Sequence, residues 1–327
     1  MKTLFRAIFG LCLMAMFWMP MSAQESATRG DVDNDKDVTI SDVTALIDYL
    51  LKGSDDPRIA VAADVDQDNA VTISDVTALI DYLLKGEWPY VAQVEEITVG
   101  TVTFRMIPVQ GGTFTMGGRE SDPYVRPWET PAHEVTLSDY YIAETEVTQA
   151  LWKAVMGNNP SYFRSYNGYT DDFQRPVESV SYSQCKAFIN RLNQKTGKVF
   201  RMLTEAEWEY AARGGRLSKG YLYAGSDSSE LVGWYNGTAG KMPHPVASLQ
   251  PNELGLYDMS GNIEEWVSDY YGLYTEEPQT NPQGPASGTY HVSRGGNWDS
   301  AFRGCRVTYR YDAYDAASSH YGLRLAM

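Results

Sequence analysis

The sequence predicts an α+β protein of two unlike parts: a small all-α module of two loop–helix repeats, and a larger mixed α/β domain with little regular structure. Three observations carry this. The sixteen residues from Val38 to Gly53 recur unchanged from Val71 to Gly86. The apolar residues inside each copy fall at helical spacing. From Ile97 onward the chain turns to short strand-like alternations, Gly-rich turns and brief helical stretches. The expected division is an export signal at 1–23, the repeat module at 24–88, a linker at 89–99 and the large domain at 100–327.

Taken in order, Lys2 and Arg6 precede an apolar run, Ala7 to Met19, followed by Pro20 and Met-Ser-Ala, which reads as a secretory signal cleaved after Ala23. Thirteen apolar residues are too few to cross a bilayer, which needs about 20. No later run approaches that length, so the mature chain is expected to be secreted or held at the cell surface without a transmembrane segment. Cys12 leaves with the signal, and Cys185 and Cys305 remain.

The net charge of −15, from 42 acidic and 27 basic residues, repels phosphate backbones and argues against nucleic acid as a partner. Its distribution is uneven: residues 24–90 hold 15 acidic and 5 basic side chains. Such density is either a solvated surface or a cation site.

Patterning favours the cation site. Asp31-x-Asp33-x-Asp35 precedes the first repeat and Asp64-x-Asp66-x-Asp68 the second, with Asp42 and Asp75 at loop position 12. Carboxylates at positions 1, 3, 5 and 12 fold around one point, and position 7, Asp37 or Ala70, adds its backbone carbonyl. Two sites for hard cations are therefore expected. Without the cations the same residues would be solvated acidic loops around a helical hairpin. After each loop, Val43, Leu46, Ile47, Leu50 and Leu51, with Val76, Leu79, Ile80, Leu83 and Leu84, mark an amphipathic helix. Only seven residues, Gln24 to Gly30, precede the first loop, which leaves no room for the entering helix of an EF-hand.

A duplicated loop and exit helix with Asp at position 12 resembles the type I dockerin module, across residues 30–87. The resemblance implies calcium-dependent docking onto a cohesin-like receptor on a scaffold or cell surface. It also implies receptor choice at loop positions 10 and 11, here Ile40-Ser41 and Ile73-Ser74. Lys36 and Asn69 stand where the loop's sharp turn usually has Gly, and Lys is the less tolerant of a left-handed backbone.

In the large domain a strand is expected from Ile97, and helices over Glu146 to Met156, over Ser183 to Asn193, and from Thr204, where Glu207 completes a capping box. Between these lie Val109-Gln-Gly-Gly-Thr-Phe-Thr-Met-Gly117, Glu144-Thr-Glu-Val-Thr-Gln149, Asn252-Glu-Leu-Gly-Leu-Tyr-Asp-Met-Ser-Gly-Asn262, Glu265-Trp266, Arg294-Gly-Gly-Asn-Trp298 and Tyr321-Gly-Leu-Arg324. In that order they resemble the sulfatase-modifying factor family, whose best-known members are formylglycine-generating enzymes. The resemblance implies a C-type-lectin-like mixed α/β fold. It also implies a Cu(I) held by two cysteine thiolates, at the second and seventh positions beyond the aromatic residue of Arg-Gly-Gly-x-aromatic.

Those positions are Ser300 and Cys305. A neutral hydroxyl is a hard, weak donor that does not replace thiolate toward Cu(I), so Cu(I) and formylglycine formation are not expected, and Cys305 is left as a doubtful catalytic residue. Cys305 reads otherwise as a buried apolar residue, a disulfide partner of Cys185, or a redox group. The resemblance further implies a structural Ca²⁺ held by Asp258, Gly261, Ile263 and Glu265. The four histidines show no metal-ligand spacing.

The expected function is an exported, scaffold- or surface-attached protein whose dockerin-like module docks a non-catalytic domain that binds a protein or glycan ligand. The alternatives are an active formylglycine-generating oxidoreductase with an altered metal site, or an accessory protein of a polysaccharide-degrading complex.

Overall fold

The computed structural model describes residues 27–53, 56–66, 71–86, 88, 93–119, 122–169 and 173–327. The expected export signal and the loop residues Asp68, Asn69 and Ala70 lie outside them. The chain divides into two compact units, Met1–Val91 and Ala92–Met327.

In the first unit the repeats form α1 (Ile40–Lys52) and α3 (Ile73–Lys85). Thr39 and Thr72 cap them, and each cap is a reciprocal box closed by Asp42 or Asp75. Both helices end at a Gly of positive φ, 72° at Gly53 and 75° at Gly86. Between them lies α2 (Pro57–Ala63), not expected from the periodicity, although Asp56 as N-cap and Pro57 at the first helical position are start signals. Leu46 and Leu79 are completely buried, packed with Val32, Val43, Val65 and Val76. Ile47 and Leu51, expected on the apolar face, are instead exposed, as are Ile80 and Leu84. One side of each helix fills this small core, and the other apolar positions stay exposed among the described residues.

The described residues of the second unit form three sheets. The first runs β1 (Glu95–Val99), β2 (Val102–Val109), β5 (Tyr140–Ala143), β12 (Leu325–Ala326) and β6 (Arg201–Met202). The alternation expected as one strand is a hairpin turning at Gly100, and β1 begins inside the segment assigned to the linker. The second sheet orders β10 (Arg310–Ala313), β9 (His291–Arg294), β7 (Glu264–Tyr270) and β11 (Tyr321–Leu323). The third orders β3 (Gly112–Met116), β4 (His133–Leu137) and β8 (Gln279–Thr280).

The three longer helices of this unit, among the described residues, accompany these sheets. α4 (Gln149–Met156) starts at a Thr148 cap, three residues later than expected, because Glu146 turns into the core instead. α5 (Tyr182–Thr196) contains the stretch Ser183 to Asn193 expected as helix and is capped by Ser181, and α6 (Glu205–Ala212) is capped by Thr204 with Glu207, the box that the sequence indicates. The two larger cores lie around Trp152, Phe188 and Trp266 and around Trp208, Tyr210 and Ile142, with a smaller cluster around Tyr223, Val232 and Tyr235. Among the described residues no helix is long and apolar enough to cross a membrane.

Candidate functional site

The acidic loops bring their carboxylates together. Ligand atoms of Asp31, Asp33 and Asp35 lie within 4.8 Å of one another, as do those of Asp64, Asp66 and Asp75. The first loop winds on itself: the Lys36 amide donates to Asp31 Oδ2 at 3.2 Å, Asp35 to Asp33 Oδ1 at 3.2 Å and Asp37 to Asp35 Oδ1 at 2.9 Å. Lys36 adopts φ 81°, the left-handed turn that a loop Gly would supply. Asp31 is buried, and its Oδ1 has no hydrogen-bond partner. An orphaned carboxylate oxygen facing two more carboxylates fits a hard divalent cation.

The position-12 carboxylates have a second task. Asp42 accepts from the amides of Val32 at 2.7 Å, Asp33 at 3.1 Å and Thr39 at 2.8 Å, tying the loop entrance to the cap of α1. Asp75 does the same with Asp66 at 2.9 Å and Thr72 at 2.7 Å, and burial holds its carboxyl above the usual range. Ile40 and Ile73, beside these loops, are 71% and 72% exposed, and Ser41 and Ser74 are exposed with them. Ile40, Ile47 and Leu51 share one face of α1, and Ile73, Ile80 and Leu84 the matching face of α3.

In the large domain Ser300 Oγ accepts from the Asn297 amide at 3.1 Å and from Tyr311 Oη at 3.3 Å. Cys305 is completely buried, donates weakly to the Ala301 carbonyl at 3.9 Å, and is held in its thiol form by burial and the nearby Glu264. Neither a hydroxyl nor a buried thiol of raised pKa suits Cu(I), which takes thiolates. Both cysteines are free: Cys305 packs with Tyr223, Val232 and Tyr235, while Cys185 lies in the Trp152–Phe188 core. The disulfide alternative is therefore set aside.

Asp258 and Glu265 belong to a buried carboxylate cluster that also contains Glu146, a residue assigned to a helix from sequence. Asp258 stands at φ 60°, its Oδ2 accepts from the Ala247 amide at 2.7 Å, and its Oδ1 is buried without a partner. Burial pushes its carboxyl up to about 6. Glu146 accepts from Asn262 Nδ2 at 2.7 Å and the Ile263 amide at 3.1 Å, and burial, then Asp258 and Glu265, raise it well above the ordinary value. Glu265 differs, because both its oxygens are taken by Arg324, with Nη2 at 2.7 Å, and by Trp208 Nε1 at 2.7 Å. Gly261, at φ 93°, and Ile263 complete the turn. The free oxygen of Asp258 and the excess of carboxylates around it fit a cation.

A fold of this kind, with two acidic loop–helix repeats ahead of it, defines a two-module protein. The model of the sulfatase-modifying factor enzyme 1-like domain matches residues 93–327, and that of the dockerin type I domain residues 29–84. The chain therefore belongs to the sulfatase-modifying factor enzyme 1-like family, with a dockerin type I module preceding that domain. It is 30% identical over 283 residues to a formylglycine-generating enzyme of Streptomyces coelicolor, covering 67% of this chain and 88% of that protein. To the chaperone protein LppX of Paenibacillus barcinonensis it is 30% identical over 266 residues, covering 65% and 86%. Among solved structures, Treponema denticola variable protein 1 superposes with a TM-score of 0.66 at 32% identity, over 72% of this chain and 99% of that one. PvdO from Pseudomonas aeruginosa gives 0.60 at 26% identity, over 71% and 97%. Dockerin domains bind calcium and typically engage cohesins in extracellular complexes.

Proposed function

We propose that this protein is exported and attached to a cohesin-bearing scaffold or surface, where its dockerin module presents a non-catalytic large domain that binds a ligand. The observation that carries the non-catalytic reading is the pair Ser300 and Cys305: a hydroxyl engaged by Asn297 and Tyr311, and a thiol completely buried. Such a pair offers Cu(I) one hard donor and one protonated sulfur. Two calcium ions would be held by Asp31, Asp33, Asp35, Asp37 and Asp42, and by Asp64, Asp66, Asp68, Ala70 and Asp75. Calcium, when bound, supplies positive charge that gathers these carboxylates. Docking would use Ile40-Ser41 or Ile73-Ser74, whose exposure beside equivalent apolar helix faces supports a role in contact.

The test incubates the reduced protein with Cu(I), O₂ and a Cys-x-Pro-x-Arg peptide and reads aldehyde formation by mass spectrometry. No conversion is expected; turnover lost in Cys305→Ala would replace this reading with an oxidoreductase. Attachment is tested by capture of surface proteins with and without calcium, where a partner lost on chelation is expected.

A further inference from the structure

A cluster of cations lies beside β3. This strand is the outer member of its sheet, and among the described residues no strand pairs with its other edge. An antiparallel ladder uses one side of each strand, so alternate residues of β3 direct their N–H and C=O groups away from β4. Along that edge, between β3 and the turn after α6, runs a groove of about 790 Å³ lined by Arg119, Arg213, Arg216 and Lys219 and by no acidic residue among those described.

In a chain of net charge −15 this concentration of cations stands apart. Arg213 is committed, bonded to Glu209 Oε1 at 2.8 Å and to the Gly117 carbonyl at 2.9 Å. Arg216 donates from Nε to the Gly111 carbonyl at 2.6 Å. These two arginines thus close the backbone at both ends of β3 and leave its middle open. Arg119, Arg216 and Lys219 are exposed and form no ion pair with a described carboxylate. Glu253, which accepts from the Lys219 amide at 3.3 Å, does not line the groove.

We infer that this groove binds an extended acidic peptide segment of a partner protein, which adds as a strand to β3 while its carboxylates meet Arg119, Arg216 and Lys219. The open edge supplies main-chain hydrogen bonds, and the flanking cations supply selection for negative charge. A peptide is favoured over an anionic glycan by the open edge. Among the described residues the only aromatic rings lining the groove are Phe114 and Tyr210, which pack on each other at 5.1 Å, and Tyr210 is buried, so its ring is not open to a sugar. The inference deepens the ligand-binding reading above by giving the large domain a site and a partner class.

The test is fluorescence polarisation with the full chain in calcium. One probe is a labelled peptide of about ten residues alternating Asp and Val. Two more carry N-methyl groups on one or the other alternate set of residues, and the fourth is a sulfated oligosaccharide of similar charge. The plain peptide is expected to bind, to weaken with salt, and to lose about tenfold or more in the R119E/K219E double variant, whose two side chains make no core contact. One N-methylated peptide should lose binding and the other keep it, because a strand pairs through one edge only. Absence of peptide binding, or equal binding to the double variant, overturns the inference. So does equal binding of both N-methylated peptides, or tighter binding of the oligosaccharide, since the groove would then read charge alone. Neither copper nor Cys305 enters this readout, so its failure and that of the non-catalytic reading are separable.

Discussion

The two modules are both acidic, and they neutralise their carboxylates in opposite ways. In the dockerin module Asp31, Asp33 and Asp35 converge with no arginine among them. In the large domain five of the ten buried acids among the described residues are met by a guanidinium: Glu209 by Arg213 and Arg294, Glu205 by Arg310, Glu129 and Asp122 by Arg306, Glu265 by Arg324. On the proposed reading one module takes much of its positive charge from bound cations, and the other carries much of its own in the sequence. Their responses to the environment should differ accordingly.

Chelation should separate them most. A cation bound to the folded state alone stabilises it by about 4 kcal/mol per site at a thousandfold excess over Kd. A module this small has little core to fall back on. Calorimetry of the full chain should show two transitions in calcium, with EDTA abolishing the module's and moving the large domain's far less. Equal shifts in both would break the comparison.

The converse perturbation removes an internal cation. Arg294→Met leaves Glu209 completely buried with only Arg213 as its ionic partner. Loss of one member of a buried pair costs about 3–5 kcal/mol. The large-domain transition should fall by that amount in denaturant titration and gain nothing from added calcium, while the module's transition stays in place.

Asp269 is a buried acid whose own hydrogen bonds come from neutral donors: its Oδ2 accepts from the Glu205 amide at 3.0 Å and Ser268 Oγ at 2.9 Å. Burial, then Glu205, pushes its carboxyl up from 3.8 to about 7. Between those values the folded state holds more protons than the unfolded one, so stability declines as pH rises through the window and levels off above it. Asp269→Asn should remove about 2–4 kcal/mol of the difference between pH 4 and pH 8. Urea titrations of both proteins across that range check the sign, and parallel curves would show Asp269 ionised throughout.

What the sequence revealed divides along the same line. The repeats, their acidic spacing, both long module helices, the body of α5 and the capping of α6 are local, set by residues a few positions apart, and were readable. α2 is too short for periodicity to register. Glu146 was assigned to a helix because its partners, Asn262 and Ile263, are more than a hundred residues away. The pairing of Arg306 with Asp122 spans 184 residues. The basic groove was hidden for a related reason: a net charge averages over surfaces, and only folding gathers Arg119 beside Arg216 and Lys219. Ser300 was legible because its meaning depends on counting from Trp298.

Within the module a finer contrast remains, at the turn of the first loop. Lys36 holds φ 81° in a region that costs a residue with a Cβ about 1–2 kcal/mol. Glycine there removes the strain but adds about 0.5–1 kcal/mol of unfolded-state freedom, so the two effects nearly offset. The net expectation for Lys36→Gly is a gain of about 0.5 kcal/mol, together with loss of a positive charge beside three carboxylates, which also favours the cation. Calcium titration calorimetry should show the first site tightening by a few fold with the second unchanged. Weaker binding would mean that the Lys36 side chain, rather than its backbone, supports the loop.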